Sequence, residues 1–302
     1  MYYYRVYGLQ VRMEFEAPWL TPGGDGSDLL VRAGDTPAGI DGKIKETRWF
    51  QAAESELLLF DDDGGRFWVR PGVIVVTPGG DLNSWSVFAH ILGSCMGAVL
   101  QWRNQLVLHA SAVRAADGGA IIFCGHKTAG KSTMAGFFHH YGRALLNDDV
   151  CPLALCSDGV YLSPGFPRIK LDPSVLLAME KSPDDFQRLP FKTRIKHAYP
   201  AIHGFSTKTA LLRGIFLLEE EEQTSIVRID QKSAVPELFQ QCFRKAFFVT
   251  LEQKQQALAM CAALAERTPV YRLRRPKKLS QALNVVRLVT ESIESVEEAS
   301  LS

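Results

Sequence analysis

No apolar run in this chain approaches the ~18 residues needed to cross a bilayer. Its first residues, Met1-Tyr2-Tyr3-Tyr4-Arg5-Val6, lack the basic-then-apolar order of a secretory signal. The expectation is a cytoplasmic protein with no membrane partner. Charge of one sign is missing as well: 34 Lys and Arg face 33 Asp and Glu, a net charge of +1. No global field draws the chain to nucleic acid or anionic lipid, so any anion site must be local. Cysteine is sparse, at positions 95, 124, 151, 156, 242 and 261. None of the six forms the Cys-x-x-Cys pair of a zinc site. Three lie in apolar, strand-like runs and read as buried thiols of a reducing compartment. There is no internal repeat.

What is present suffices for a real core. The 302 residues are 46% hydrophobic and 22% charged, which allows one large domain or two smaller ones. Residues 1–83 are β-rich. Tyr7, Leu9, Val11, Met13 and Phe15 alternate onto one face, and Leu57–Phe60 and Arg66–Val69 flank an Asp/Gly turn as a hairpin. Asp61-Asp62-Asp63 lacks the later Glu of a calcium hand and reads as a solvated turn. Gly72–Thr77 is a further strand. Residues 84–302 then form a second region. Apolar residues at helical spacing cover Ser84–Trp102, and strands are expected at Leu106–Arg114, Ala120–Cys124, Ala154–Leu155, Tyr161–Leu162 and Arg168–Leu171. Arg213–Leu218 and Ser225–Ile229 read as a hairpin round Glu219–Glu222. Helices are expected over Val235–Phe247, Leu251–Ala265 and Leu279 to about Val296, with a strand at Val270–Leu273. The polar stretch 182–209, with Lys192, Arg194, Lys196 and His197, is open to two readings, a lid or a plain connector.

The stretch that carries chemistry is Gly125-His126-Lys127-Thr128-Ala129-Gly130-Lys131-Ser132-Thr133. It has the spacing of a phosphate-binding loop and the context that motif requires, an apolar strand before it and a helix, Thr133–Tyr141, after it. Gly125 and Gly130 permit dihedrals that expose backbone N–H groups to an anion. The helix start adds unsatisfied N–H groups and a positive dipole end. Lys131 supplies a cation for the β- and γ-phosphates, and the Ser132 hydroxyl is placed to ligate Mg²⁺. Lys127 is an extra cation, for a phosphate or for solvent.

Seventeen residues after Lys131 come Asn147-Asp148-Asp149, flanked by apolar residues on both sides. The pair is expected on the strand beside the phosphate loop, at its carboxyl end, where ligands gather in such sheets. Successive side chains of an extended segment point to opposite faces, so one carboxylate would face a metal and the other an acceptor hydroxyl. His109, in Leu106–Val113, reads either as a satisfied core histidine or as part of the same site.

Together these residues resemble the catalytic domain of the HPr kinase/phosphorylase family, in Leu108-His109-Ala110, Gly125–Thr133 and Asn147-Asp148-Asp149-Val150. Gly165–Leu171, Val270–Pro276 and the start Tyr3–Leu9 resemble divergent relatives of that family, among them kinases that accompany lasso-peptide biosynthesis. The resemblance implies an α/β fold with a mixed sheet, the phosphate-loop kinase domain of the HPr kinase/PEP carboxykinase type. It implies ATP and Mg²⁺ as cofactors and transfer of a phosphoryl group to a serine of a peptide or protein, such as the C-terminal serine of a lasso-peptide precursor. It makes Asp148 the general base, Asp149 the metal-side carboxylate and His109 the residue that positions the base. The glycine-bearing loop that follows the Asp pair in the family is absent. Phe166-Pro167-Arg168-Ile169-Lys170 stands there instead, so neither HPr as substrate nor reverse phosphorolysis is implied. Arg168/Lys170, Arg194/Lys196 and Arg272/Arg274/Arg275 are candidates for holding an anionic group. A homo-oligomer is left open, as are a small-molecule kinase and a nucleotide-binding regulatory module. Residues 1–83 are a candidate docking region for the peptide.

Overall fold

Alternation in the N-terminal third builds a nine-stranded sheet. In the computed structural model, which describes residues 1–63, 65–191 and 193–301 with side chains to residue 294, its strands are β1 (Tyr2–Val6), β2 (Leu9–Met13), β3 (Thr21–Pro22), β4 (Leu29–Ala33), β5 (Lys45–Glu46), β6 (Phe50–Ala52), β7 (Leu57–Asp61), β8 (Gly65–Arg70) and β9 (Val73–Pro78). Their order is β3-β1-β2-β4-β9-β8-β7-β6-β5. The run Tyr2–Phe15 is a hairpin, because Tyr7 and Gly8 both take positive φ, 55° and 80°, and reverse the chain. The β7/β8 hairpin forms as expected, Leu57 opposite Val69; Gly64 in its turn lies outside the described residues. The expected helix over Ser84–Trp102 is α1 (Trp85–His90) and α2 (Met96–Trp102), joined through a π-turn at Ile91–Cys95. Ser84 caps its start with a side-chain oxygen that accepts from Val87 N. Its apolar face shares one core with the N-terminal sheet, Phe88 and Leu92 packing with Phe15, Phe67 and Val76.

The second sheet holds the site. It comprises β10 (Leu106–Leu108), β11 (Ser111–Arg114), β12 (Ala120–Cys124), β13 (Leu145–Asp148), β14 (Cys151–Cys156), β15 (Gly159–Leu162), β19 (Ala210–Glu220), β20 (Ser225–Arg228) and β21 (Val270–Arg275). The main order is β10-β14-β15-β19-β12-β11-β13, with β21 beside β19 and β20 beside β21. β12, β19 and β21 are parallel and the other pairs antiparallel, so this is a mixed α/β sheet. β12 is buried along its whole length, as its unbroken apolar run requires. Ile121 and Phe123 face helices α3 (Lys131–His140) and α7 (Ala282–Leu301). Ile122 and Cys124 face α5 (Gln231–Gln240) and α6 (Leu251–Arg267). A small sheet, β16 (Arg168–Leu171), β17 (Arg188–Leu189) and β18 (Lys196–Pro200), joins the α3 side, with α4 (Pro173–Ala178) after β16.

Four expectations are corrected. The strand Leu106–Arg114 breaks at His109-Ala110, since β10 pairs with β14 whereas β11 lies between β12 and β13. The Asp-bearing strand is therefore one place removed from the loop strand. Arg213–Leu218 and Ser225–Ile229 are not a hairpin, because β21 inserts between them. The helix expected to reach Phe247 ends at Gln240 and is followed by a turn, with Arg244 in a left-handed conformation. Within 182–209, β18 pairs with β16 through His197–Pro200 and with β17 through Lys196 and His197, so this part is sheet rather than connector; Lys192 lies outside the described residues.

Two aromatic contacts tie the halves together. The Tyr7 hydroxyl donates to Leu92 O at 3.0 Å, and its backbone N donates to Pro164 O at 2.8 Å. The Arg168 guanidinium lies 4.9 Å from each of the Trp19 and Trp85 rings, a cation held between two π-faces. Gly97 on α2 completes the junction: a Cβ there would stand 2.7 Å from the Phe243 ring. Gly97→Val is expected to cost roughly 1–3 kcal/mol, as overpacking does, seen as a lower urea midpoint. An unchanged midpoint would mean that the ring is not confined.

Candidate active site

The phosphate loop spans the step from β12 to α3. Gly125, Thr128 and Gly130 take φ of 149°, 78° and 95°. The glycines are required sterically: a Cβ at Gly130 would run into Arg275 Nη2, and one at Gly125 would lie 2.8 Å from Ala129 Cβ. Arg275, buried on β21, donates from Nη2 to Ala129 O at 2.9 Å, and Gly125 N donates to Gln241 Oε1 at 3.0 Å. The loop is thus clamped from both sides. Lys131 is buried and donates from Nζ to Gly125 O at 2.8 Å and His126 O at 3.2 Å; burial lowers its pKa. The first N–H groups of α3 have no partner within the helix, and Lys131, Ser132 and Thr133 line a cleft of roughly 610 Å³. Lys127, Thr128 and Gly130 line it too. His126 is exposed at the loop tip, while Ala129 packs in the core.

Asp148 ends β13 directly below this loop. Its Oδ1 accepts from Ser132 Oγ at 2.7 Å and from Ser111 Oγ at 2.8 Å, and its Oδ2 accepts from Lys170 N at 2.9 Å. Ser111 meets it because β11 and β13 are in register there, Ser111 opposite Asp148. Asp149 does not continue the strand. Its φ of 85° turns the chain, so the expected alternation stops one residue early and its carboxylate enters the cleft. There Asp149 Oδ1 lies 2.9 Å from His109 Nε2 and Oδ2 lies 2.5 Å from Lys170 Nζ. Burial would raise the Asp149 pKa, but Lys170 and His109 outweigh it and hold the carboxyl well below its usual range. Burial likewise disfavours the Lys170 charge, and Asp149 and Asp148 reverse that, raising its pKa.

His109 sits at the break between β10 and β11. Its N donates to Gln241 O at 2.7 Å, and its ring meets Phe243 edge-on with centroids 6.0 Å apart. The position is half-buried on the cleft wall rather than in a core. Loop, carboxylates and histidine, far apart in the chain, therefore share one cleft and its floor. The resemblance gives Asp148 the part of base and Asp149 that of metal-side carboxylate; in the structure Asp148 keeps company with Ser132, and Asp149 with His109.

The basic candidates separate. Lys170 and Lys196 line the cleft, Lys196 near Asp172 at 3.7 Å and donating to Lys170 O at 3.1 Å. Arg194 lines it as well. Arg272 is paired to Glu219 and Glu237, and Arg274 to Glu219, away from the cleft. Three participants were missed from sequence. Ser111 was invisible without the β11/β13 register, and Gln241 and Arg244 lay inside a stretch read as helix. Ser111 had one available signal, its place two residues after His109 on a strand.

Hard oxygen ligands suit Mg²⁺, which takes one or two carboxylates and leaves the rest of its shell to water and phosphate. Ser132 Oγ and Asp148 Oδ1 form such an oxygen pair beside the loop. No group of three His, Cys, Asp or Glu that could hold a metal by itself occurs among the described residues.

Because its folded pKa is depressed, Asp149 stays ionised where the unfolded chain takes up a proton. Its stabilising contribution is complete above the ordinary carboxylate value of about 3.9 and is lost as pH falls through the folded value. The stability advantage of the native protein over Asp149→Asn should shrink as pH falls below about 4. Urea melts across pH 2–7 (roughly the range where carboxylates titrate) check this, and a gap that does not close in acid would contradict the pairing.

No protein-family profile matches this chain. No curated protein matches it in sequence. Among solved structures it is similar to the HPr(Ser) kinase/phosphatase from Coxiella burnetii, at 12% identity, over 63% of this chain and 98% of that one, with a TM-score of 0.34.

Proposed function

We propose that the protein is a kinase that moves the γ-phosphoryl group of ATP to a hydroxyl, with a serine of a peptide or protein as the acceptor. The observation that carries this reading is the joining of a phosphate loop, through Ser132 and Asp148, to a second carboxylate paired with an imidazole, Asp149 with His109. A nucleotide switch needs the loop, its lysine and one acid, and gains nothing from the second pair.

The division of labour follows the geometry. Ser132 and Asp148 would hold Mg²⁺, and the loop N–H groups with Lys131 would hold the β- and γ-phosphates. When bound, the metal neutralises charge that develops on the phosphate oxygens. Asp149 takes the acceptor proton while the acceptor oxygen bonds to the γ-phosphorus and the bond to the β–γ bridging oxygen breaks, releasing ADP. His109 orients the Asp149 carboxylate. Lys170 gives the site its timing. Paired to Lys170, Asp149 is a weak base; an incoming phosphoryl group competes for that ammonium, and each increment of lost pairing restores proton affinity to the carboxylate.

The acceptor reading draws on the resemblance of Tyr3–Leu9, Gly165–Leu171 and Val270–Pro276 to the lasso-peptide kinases. A cleft of roughly 610 Å³ has room for the end of a chain. Strand addition to the N-terminal sheet is the less suitable route, since its edge strands β3 and β5 have two residues each and carry Pro22 or Lys45.

The test is mass spectrometry of serine-bearing peptides, a lasso-peptide precursor among them, after incubation with protein, ATP and Mg²⁺. Asp149→Asn should lower turnover by about 10²–10⁴, the usual weight of a general base, with nucleotide affinity and Mg²⁺ requirement unchanged. Asp148→Asn should raise the Mg²⁺ concentration needed for half-maximal turnover. Full transfer by Asp149→Asn would remove it as the base.

A further inference from the structure

The turn after α5 is held on every side. Gln241 accepts through O from His109 N at 2.7 Å and through Oε1 from Gly125 N at 3.0 Å. Phe243 N donates to Val107 O at 2.8 Å, and Phe243 O accepts from Gln101 Nε2 at 2.6 Å. The Phe243 ring lies against Gly97 and edge-on to His109. The next residue is Arg244, at φ 46° and ψ 49°, a left-handed conformation disfavoured for any residue with a Cβ. Its O accepts from Phe247 N at 2.8 Å, so the conformation is locked. A backbone over-determined in this way, in a conformation that glycine would fill better, points to a demand on the side chain.

That side chain lines the cleft, exposed, its guanidinium 5.8 Å from the Phe243 ring centroid. Among the described residues it has no carboxylate within ion-pair distance, whereas Lys170 and Lys196 in the same cleft each have one. It stands on the wall that carries Phe243 and His109. The nucleotide phosphates belong to the loop, while an acceptor hydroxyl must approach Asp149, which His109 holds from the Phe243 side.

We propose that Arg244 binds an oxyanion, carboxylate or phosphate, that the acceptor carries close to its reacting hydroxyl, so that the substrate class is an anionic alcohol and not a neutral one. The proposal rests on the phosphoryl-transfer reading for the identity of its ligand as an acceptor. The guanidinium fork fits two oxygens of such a group at once and fixes its orientation as well as its position. An acceptor anchored there presents its hydroxyl to Asp149 as an oriented reactant.

The test uses the full-length protein saturated with Mg²⁺ and the non-hydrolysable analogue AMP-PNP, so that the phosphate loop is filled. Inorganic phosphate and acetate are the two probes, titrated by calorimetry, and the stronger of them identifies the oxyanion preferred. Arg244→Gly is the main variant, because glycine suits the backbone there and the fold should melt at the same temperature or higher. It is expected to weaken binding of the preferred probe at least tenfold, with Arg244→Lys intermediate. Equal binding by native protein and Arg244→Gly, or no binding by either, would overturn the proposal. So would a matching loss of AMP-PNP affinity, which would assign Arg244 to the nucleotide. Once an acceptor is in hand, Arg244→Gly should raise its KM and leave that of ATP unchanged. The two readings fail separately: transfer with an unaltered acceptor KM removes the oxyanion site alone, and Arg244-dependent probe binding in a protein that transfers nothing removes the kinase reading alone.

Discussion

The carboxylate of Asp148 is the point on which the site depends. It is almost fully buried, and its three donors come from three different elements: Ser111 on β11, Ser132 at the start of α3 and the Lys170 backbone on β16. A buried charge is tolerable only when it is well satisfied, and here satisfying it aligns sheet, phosphate-loop helix and the small β16–β18 sheet. The same oxygen that accepts from Ser132 is a hard ligand beside the loop. The group that organises the site is thereby also the buried oxygen nearest to the loop hydroxyl of Ser132.

Asp149 lives under different conditions one residue later. A left-handed φ lifts it out of the strand into the half-exposed cleft, where Lys170 and His109 keep it ionised. Two neighbouring carboxylates thus acquire different properties from their surroundings alone, one locked by neutral donors and one poised against an ammonium. The overall charge of +1 conceals this local arrangement. Lys127, Lys131, Lys170, Lys196, Arg194 and Arg244 all line one cleft, and a low-dielectric wall concentrates their field on anions.

The N-terminal sheet acts on this site indirectly. Through α1 and α2 it places Trp85 and Gly97, which bear on Arg168 and Phe243. Arg168 is two residues from Lys170, and Phe243 is the edge against His109. The β-rich region therefore supports both walls of the cleft from behind.

Much of this was legible in the residues. The phosphate loop, its flanking strand and helix, the Asp pair and His109 are local patterns, set by spacing and by the conformational freedom of Gly125 and Gly130. So were the β7/β8 hairpin and the helical run to Trp102. What was illegible is every relation that depends on register or on pairing between distant strands. Nothing local shows that β11 intervenes between β12 and β13, that β21 inserts between β19 and β20, or that Ser111 lies opposite Asp148. Helical periodicity in 235–247 did not show that the chain breaks to present Arg244, since capping and left-handed turns are decided by what the termini pack against. Alternation along an extended strand likewise said that the two aspartates differ but not which would meet the loop. The sequence by itself determined the chemical groups and their local geometry; the tertiary structure alone decided which groups meet, because hydrogen bonds to Asp148 and ion pairs to Asp149 join segments of two sheets and a helix that only the packed fold brings within 3 Å.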